Sequence, residues 1–413
     1  MKKIISITLL LALFLSLCAC GTTETTPTET KRTYGFERPE IKEKLTWDAI
    51  NAFPIKSEDM TEEEMRDLCV GFFYFSKTAL WVPGDNWEYI ITTSNRPDSM
   101  SMGVVYGGLP YITNGTGNVY RLMDIIDEET GIADMTEPIA EPRLFGNQCS
   151  FGTYWGWSRV VNSAKFSTTR NMTHSNGFLR VGPYTYNDNV PKFEEGVYET
   201  STIIKENGMD IMCQSYAAMK HGDGVIAYTS AGHVMMIYTD PVVVYTSDGA
   251  IDPTQSYVHI LDQFYNWAER TNESGDTFQY KNYINRKFTF VELMDDGYIP
   301  FTFAEFIGTD PVEPTECTFS HTGDTITPSQ LSAGEVTANY GVSDMYALVK
   351  DSKGNVVHSI VSRNLSLSNS VNFFKMVSSE EWEPYTNGNY TVEVVCQLST
   401  GERPTIYTGT LVK

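Results

Sequence analysis

The chain has 413 residues, 41% of them hydrophobic and 13% aromatic, and a formal net charge of −22. That length and apolar content suffice for two or three domains with their own cores and exclude a solvated spacer. The acidic balance excludes nucleic acid and anionic headgroups as direct partners, because like charges repel across a Debye length and no basic block interrupts them.

In chain order, the first element is an export signal. Lys2 and Lys3 precede a run of apolar and small residues from Ile4 to Leu17, closed by Leu17-Cys18-Ala19-Cys20-Gly21. The run is too short to remain as a spanning helix. Its ending resembles the bacterial lipobox. That resemblance implies removal of residues 1–19 and acylation of Cys20, as by palmitate, which anchors the protein by lipid on the extracytoplasmic face of the cell membrane. Residues 20–45, rich in Thr, Glu and Pro, read as a flexible tether. Cys69, Cys149, Cys213, Cys317 and Cys396 remain, an odd number that leaves at least one free thiol.

Folded material begins at Thr46 to Phe53. Thr61-Glu62-Glu63-Glu64 is a capping-box pattern, and Met65, Leu68, Cys69, Phe72 and Phe73 follow at helical spacing, which makes Cys69 a core thiol. Gly103, Tyr106-Gly107-Gly108, Pro110 and Asn114-Gly115-Thr116-Gly117 predict loops leading to a short helix around Tyr120 to Ile126. Gly146 to Val161 reads as a turn and a helix. Residues 163–200 read as an inserted hairpin or lid, and Cys213 as a structural residue of another short helix. Val225 to Tyr228, Val234 to Tyr238 and Val242 to Tyr245 then predict consecutive antiparallel strands. Beyond a Pro-rich link at 310–314, short strands and turns suggest an immunoglobulin-like β-sandwich over 313–413. Cys317 and Cys396 lie near its two ends, where they can pair or stay free.

Cys149 carries the chemistry of the expected 46–312 domain. It stands at the start of a helix after a turn, where free backbone N–H groups favour a thiolate and can hold an oxyanion. His233, between Gly232 and Val234 at the mouth of a strand, suits a general base.

Together these segments resemble the NlpC-type family of papain-like cell-wall cysteine peptidases. Tyr106-Gly107-Gly108 is similar to that family's approach loop, which implies a substrate-binding role for Tyr106. Gln148-Cys149-Ser150 resembles its nucleophile motif; His221-Gly222-Asp223-Gly224 and Gly232-His233-Val234-Met235-Met236-Ile237-Tyr238 resemble two of its strands. The resemblance covers residues 100–265 and implies an α+β fold, with the cysteine helix packed on an antiparallel sheet. It also implies cleavage of amide bonds in peptidoglycan stem peptides.

Three departures stand out. Gln148 replaces an acid, Phe151 replaces a glycine, and the separation from Cys149 to His233 is 84 residues. The third catalytic residue is not fixed by the pattern: His259 is the first candidate, with Asp252 and Gln263 as rivals. Asp252 belongs to a second reading, a transglutaminase-like acyltransferase. A third is a surface binding or adhesion lipoprotein on a decayed hydrolase core. Expected partners are a cell-wall peptide or surface protein, and the membrane through the lipid on Cys20. No zinc, phosphate-loop, serine-elbow or EF-hand pattern is present, so no metal or cofactor is expected.

Overall fold

The computed structural model describes residues 34–85, 100–133, 145–166, 168–169, 172, 177–185, 199–228, 232–264, 268–280, 284–364, 366–372 and 379–413. The signal, Cys20, residues 20–33 of the tether and His174 lie outside them. The fold is mixed α+β.

Helix α1 (Trp47–Asn51) is capped by Thr46, whose side chain accepts from the Ala49 amide. In α2 (Glu62–Thr78) the Thr61 side chain accepts from the Glu64 amide, and Glu64 accepts from the Thr61 amide at 2.8 Å. This reciprocal pair satisfies two otherwise orphaned donors. As its spacing requires, the stripe Met65, Leu68, Cys69, Phe72 and Phe73 is buried.

The strands of the first part are β1 (Leu80–Pro83), β2 (Tyr106–Gly107), β3 (Ile126–Asp127), β4 (Ile132–Ala133), β5 (Leu179–Arg180) and β6 (Gly224–Tyr228). They continue with β7 (Gly232–Val242), β8 (Tyr257–Leu261), β9 (Ala268–Thr271), β10 (Thr277–Tyr280), β11 (Ile284–Thr289) and β12 (Ile299–Thr302). Among the described residues they form two six-stranded sheets, β3-β4-β1-β2-β10-β9 and β11-β8-β7-β6-β12-β5. The second is antiparallel throughout. The helix Cys149–Trp157 wedges between α2 and β7. A Cβ on Gly156 would stand 2.7 Å from the Phe73 Cβ and 3.0 Å from the Met236 Cε, so glycine sets how closely helix and sheet approach.

Two expectations change. Val242 to Tyr245 does not form a separate strand: β7 runs on to Val242, and Tyr245 makes only an isolated bridge to Ile251. Residues 163–200, expected as a hairpin or lid, lie partly outside the described residues; the described part contributes β5 to the sheet edge and buries Phe178 and Tyr184. The helix expected around Cys213 runs from Thr200 to Ala217, with a break at Gly208, whose φ is 77°.

The C-terminal part comprises β13 (Cys317–Phe319), β14 (Thr325–Ile326), β15 (Glu335–Ala338), β16 (Val342–Lys350), β17 (Val356–Arg363), β18 (Ser370–Asn372), β19 (Asn387–Leu398) and β20 (Thr405–Val412). Sheets β13-β15-β18 and β14-β20-β19-β16-β17 enclose a core of their own, with Phe319 and Val336 facing Met345, Val394 and Leu411.

This part is tied to the first by buried polar contacts. Arg121 Nε meets Asp344 Oδ1 at 2.9 Å with both side chains fully buried, and the same guanidinium donates to the carbonyls of Thr116, Ser343 and Asn364. The Ser399 hydroxyl donates to the Ser158 carbonyl at 3.2 Å, immediately after the Cys149 helix. Gly401, at φ 97°, lies against the Arg159 guanidinium.

Candidate active site

Cys149 is the first residue of its helix. Its neighbour Gln148 occupies the N-cap without capping: its side chain instead accepts from the Asn114 amide at 3.1 Å. The first-turn N–H groups of the helix are therefore not taken by that side chain. They carry the partial positive charge that favours a thiolate or an oxyanion. Thr153, one turn on, donates to the Cys149 carbonyl at 2.8 Å and steadies the turn.

His233 lies near the start of β7, opposite Ala227 of β6, with 18% of its side chain exposed. Its Nε2 is 3.0 Å from Asp262 Oδ2, and its ring also hydrogen-bonds the Cys149 side chain. Since Asp262 occupies Nε2, Nδ1 is the nitrogen left for the thiol. Burial alone would push the imidazolium down; the hydrogen bonds to Asp262 and Cys149 outweigh it and hold His233 up at about 10. Phe264 and Tyr298 flank the ring, with centroids at 5.2 and 6.4 Å.

The residue beside His233 is thus Asp262, and His259 is not. Val258 and Ile260 of β8 are fully buried, and alternation carries that face on to Asp262. His259 lies on the other face, cross-strand from Lys287 and stacked on Tyr257 at 5.5 Å. Asp252, the acid of the acyltransferase reading, sits in the turn before β8. Its carboxylate accepts from the amide and hydroxyl of Thr254. The strand-end pair Asp262-Gln263 was the available signal: it follows the apolar positions of β8 by the strand period.

Gln263 is also at the site, in another role. Its Oε1 accepts a hydrogen bond from Lys77 Nζ, and its Nε2 donates to the Leu109 carbonyl at 3.0 Å. Lys77, near the end of α2, is fully buried. A Cβ on Gly152, one turn beyond Cys149, would be 3.3 Å from its Nζ. Burial pushes the Lys77 ammonium down to about 7, with Asp262 and Cys149 pulling the other way. Sequence reading missed this residue because a lysine at a helix end ordinarily reads as a solvated C-terminal charge.

The Tyr106-Gly107-Gly108 segment serves the same corner. Gly108, at φ 70°, passes where a Cβ would stand 2.7 Å from the Lys77 Cα, and it delivers Leu109 to Gln263. Tyr106 is a correction to the substrate-binding expectation. It is 4% exposed, packs near Trp81, and its hydroxyl accepts from the Ser101 amide.

The other thiols and histidines are placed away from this chemistry. Cys69 is buried against the Trp157 carbonyl, and burial pushes its thiol far up; burial also raises Cys213, to about 11. His321 bonds the Thr325 carbonyl, and His358 stacks on Tyr385. Asp223 of the His221-Gly222-Asp223-Gly224 segment is structural, paired with Arg66 at 2.7 Å. Among the described residues no cluster of His, Cys, Asp and Glu is arranged to hold a metal, and no helix is long and apolar enough to cross a membrane. The sequence matches no family model and no curated protein.

Proposed function

We propose that this chain is a cysteine hydrolase of amide bonds, with Cys149 as nucleophile, His233 as acid and base, and Asp262 as the group that orients the imidazole. The observation that carries this reading is the hydrogen-bonded series Cys149–His233–Asp262, assembled from a helix start and two adjacent strands. The arrangement is papain-like: a cysteine helix laid on an antiparallel sheet that presents the histidine and its partner.

The chemistry follows from the groups in place. The Cys149 thiolate attacks the carbonyl carbon, and the first-turn amides of its helix stabilise the oxyanion. His233, kept protonated by Asp262, gives its proton to the leaving amine. The neutral imidazole then takes a proton from water, which attacks the thioester and frees the enzyme. Below its folded value of about 7, Lys77 completes the charge balance. A thiolate and the Asp262 carboxylate carry two negative charges, an imidazolium supplies one positive charge, and a buried ammonium supplies the other.

The substrate class rests on the resemblance of residues 100–265 to NlpC-type peptidases, with peptidoglycan stem peptides as the target. The export signal and Cys20 support action from a lipid anchor on the extracytoplasmic face. The C-terminal immunoglobulin-like sandwich, tied to the Cys149 helix through Ser399 and Gly401, supports the catalytic domain in place. The test is the rate of iodoacetamide labelling of each cysteine against pH, in wild type and His233→Ala, followed by digestion of muropeptides. Fast labelling of Cys149 that slows in the variant, together with stem-peptide cleavage, is the expected result. Labelling of Cys149 no faster than that of Cys69 or Cys213 would instead make the chain a binding protein on an inactive core.

A further inference from the structure

Cys317 and Cys396 come from different sheets of the C-terminal sandwich. Cys317 opens β13, opposite Ala338 of β15; Cys396 lies in β19, opposite Met345 of β16. They are 79 residues apart in sequence (396 − 317), yet their thiols lie near enough to influence each other. Both pack on the same core.

We propose that Cys317 and Cys396 are a modification site, oxidised to a disulfide that staples the three-stranded sheet to the five-stranded one. The proposal rests on the extracytoplasmic location proposed above, where disulfides persist, and not on the hydrolase chemistry.

The two sulfurs are unequal in a way that suits stepwise exchange. Cys396 is fully buried, whereas Cys317 is half-buried. Cys317 is therefore the attacking thiolate. Its sulfur bonds to one sulfur of an oxidant disulfide, small-molecule or protein, and expels the other as a thiolate. Cys396 then loses its proton, and its sulfur attacks that of Cys317 and expels the second thiolate. Two electrons pass to the oxidant, and the two protons end on its released thiols.

The location gives the bond a consequence at the site. Cys317 directly follows the link in which the Glu313 carbonyl accepts from Lys56 and Tyr340. Cys396 precedes the turn whose Ser399 bonds the Ser158 carbonyl. A covalent tie between them fixes the strand that buttresses the end of the Cys149 helix.

The test uses the chain from Gly21 onward, equilibrated with oxidised glutathione, alkylated in denaturant and mapped by non-reducing tryptic digestion. The expected result is a Cys317–Cys396 cross-linked peptide, with Cys69 and Cys213 recovered as singly alkylated thiols. A rise in Tm on oxidation that is reversed by reductant and missing in Cys317→Ser is also expected. The more exposed cysteine is chosen for substitution because Cys396→Ser would place a hydroxyl in the core. Recovery of Cys317 and Cys396 both alkylated, or of Cys317 carrying only glutathione, overturns the proposal. Cys149 reactivity is read in the same digest, so failure of the disulfide and failure of the hydrolase reading are separate outcomes.

Discussion

Asp262 holds His233 across 29 residues of sequence, its Oδ2 3.0 Å from the imidazole Nε2, because β7 and β8 are hydrogen-bonded neighbours. Asp262 is 1% exposed, so water does not compete for its carboxylate. Removing it takes away both the orientation of the ring and the charge that favours imidazolium. Asp262→Ala is expected to lower kcat/KM by about 10²–10⁴-fold on a cleaved peptide. His259→Ala, on the opposite face of β8, is expected to leave it unchanged. Equal losses in the two variants would show that Asp262 does not orient the base.

The same contact sets the upper limit of the pH profile. His233 must be protonated to serve the leaving amine, and it is held up at about 10 from an ordinary value of 6.5. Activity is therefore expected to persist through neutral pH and to fall as pH rises through the folded value. In Asp262→Asn the alkaline limb is expected to move down toward the ordinary value, as read from initial rates across pH.

Lys77 and His233 act on stability in opposite directions. His233 is raised in the folded state, so its contribution is complete below 6.5 and is lost as pH rises to about 10. Lys77 is lowered to about 7 from 10.5, so the unfolded chain binds the extra proton in that window, and stability rises with pH there. In wild type the two slopes offset one another between pH 7 and 10. Lys77→Met removes the rising slope, and its urea midpoint is expected to fall with pH over that window while wild type stays nearly flat. A parallel response of the two proteins would sink this account of Lys77.

The glycines of the Cys149 helix differ in what surrounds them. A Cβ on Gly156 would stand 2.7 Å from the Phe73 Cβ, a contact neither element can yield without shifting the backbone. Gly156→Ala is expected to cost about 1–3 kcal/mol by overpacking. A Cβ on Gly152 would have its nearest atoms 3.2–3.3 Å away, the Lys77 Nζ among them. Gly152→Ala is expected to stay close to wild type in stability, since the gain in helix propensity offsets the crowding. Denaturant titration of the two variants checks the contrast.

Arg121 and Asp344 bind the two cores together without exposure to water. Substituting Arg121 by Met leaves Asp344 buried with the 3.1 Å contact to Arg363 and a hydrogen bond from the Ser343 hydroxyl, and strips three carbonyls of a donor. The expected cost is about 3–5 kcal/mol, measured by chemical denaturation. Protease cleavage in the link around residues 310–316 should increase in parallel.

Sequence alone determined the elements whose signal is local. The Thr61 capping box and its apolar stripe gave α2, the turn and aromatic run gave the Cys149 helix, and β-prone runs gave β6 and β7. Cys149 and His233 were legible because each sits at the end of an element, where a reactive side chain has an open face. The partner of His233, the role of Gln263 and the identity of Lys77 were decided only by tertiary structure. Each depends on which strand lies beside which and on a register that a one-residue shift would reverse, as the opposite facings of His259 and Asp262 demonstrate. Lys77 shows the same limit in electrostatic form: an ammonium at a helix end is ordinary in sequence, and only burial between the Cys149 helix and the end of β8 makes it part of a site.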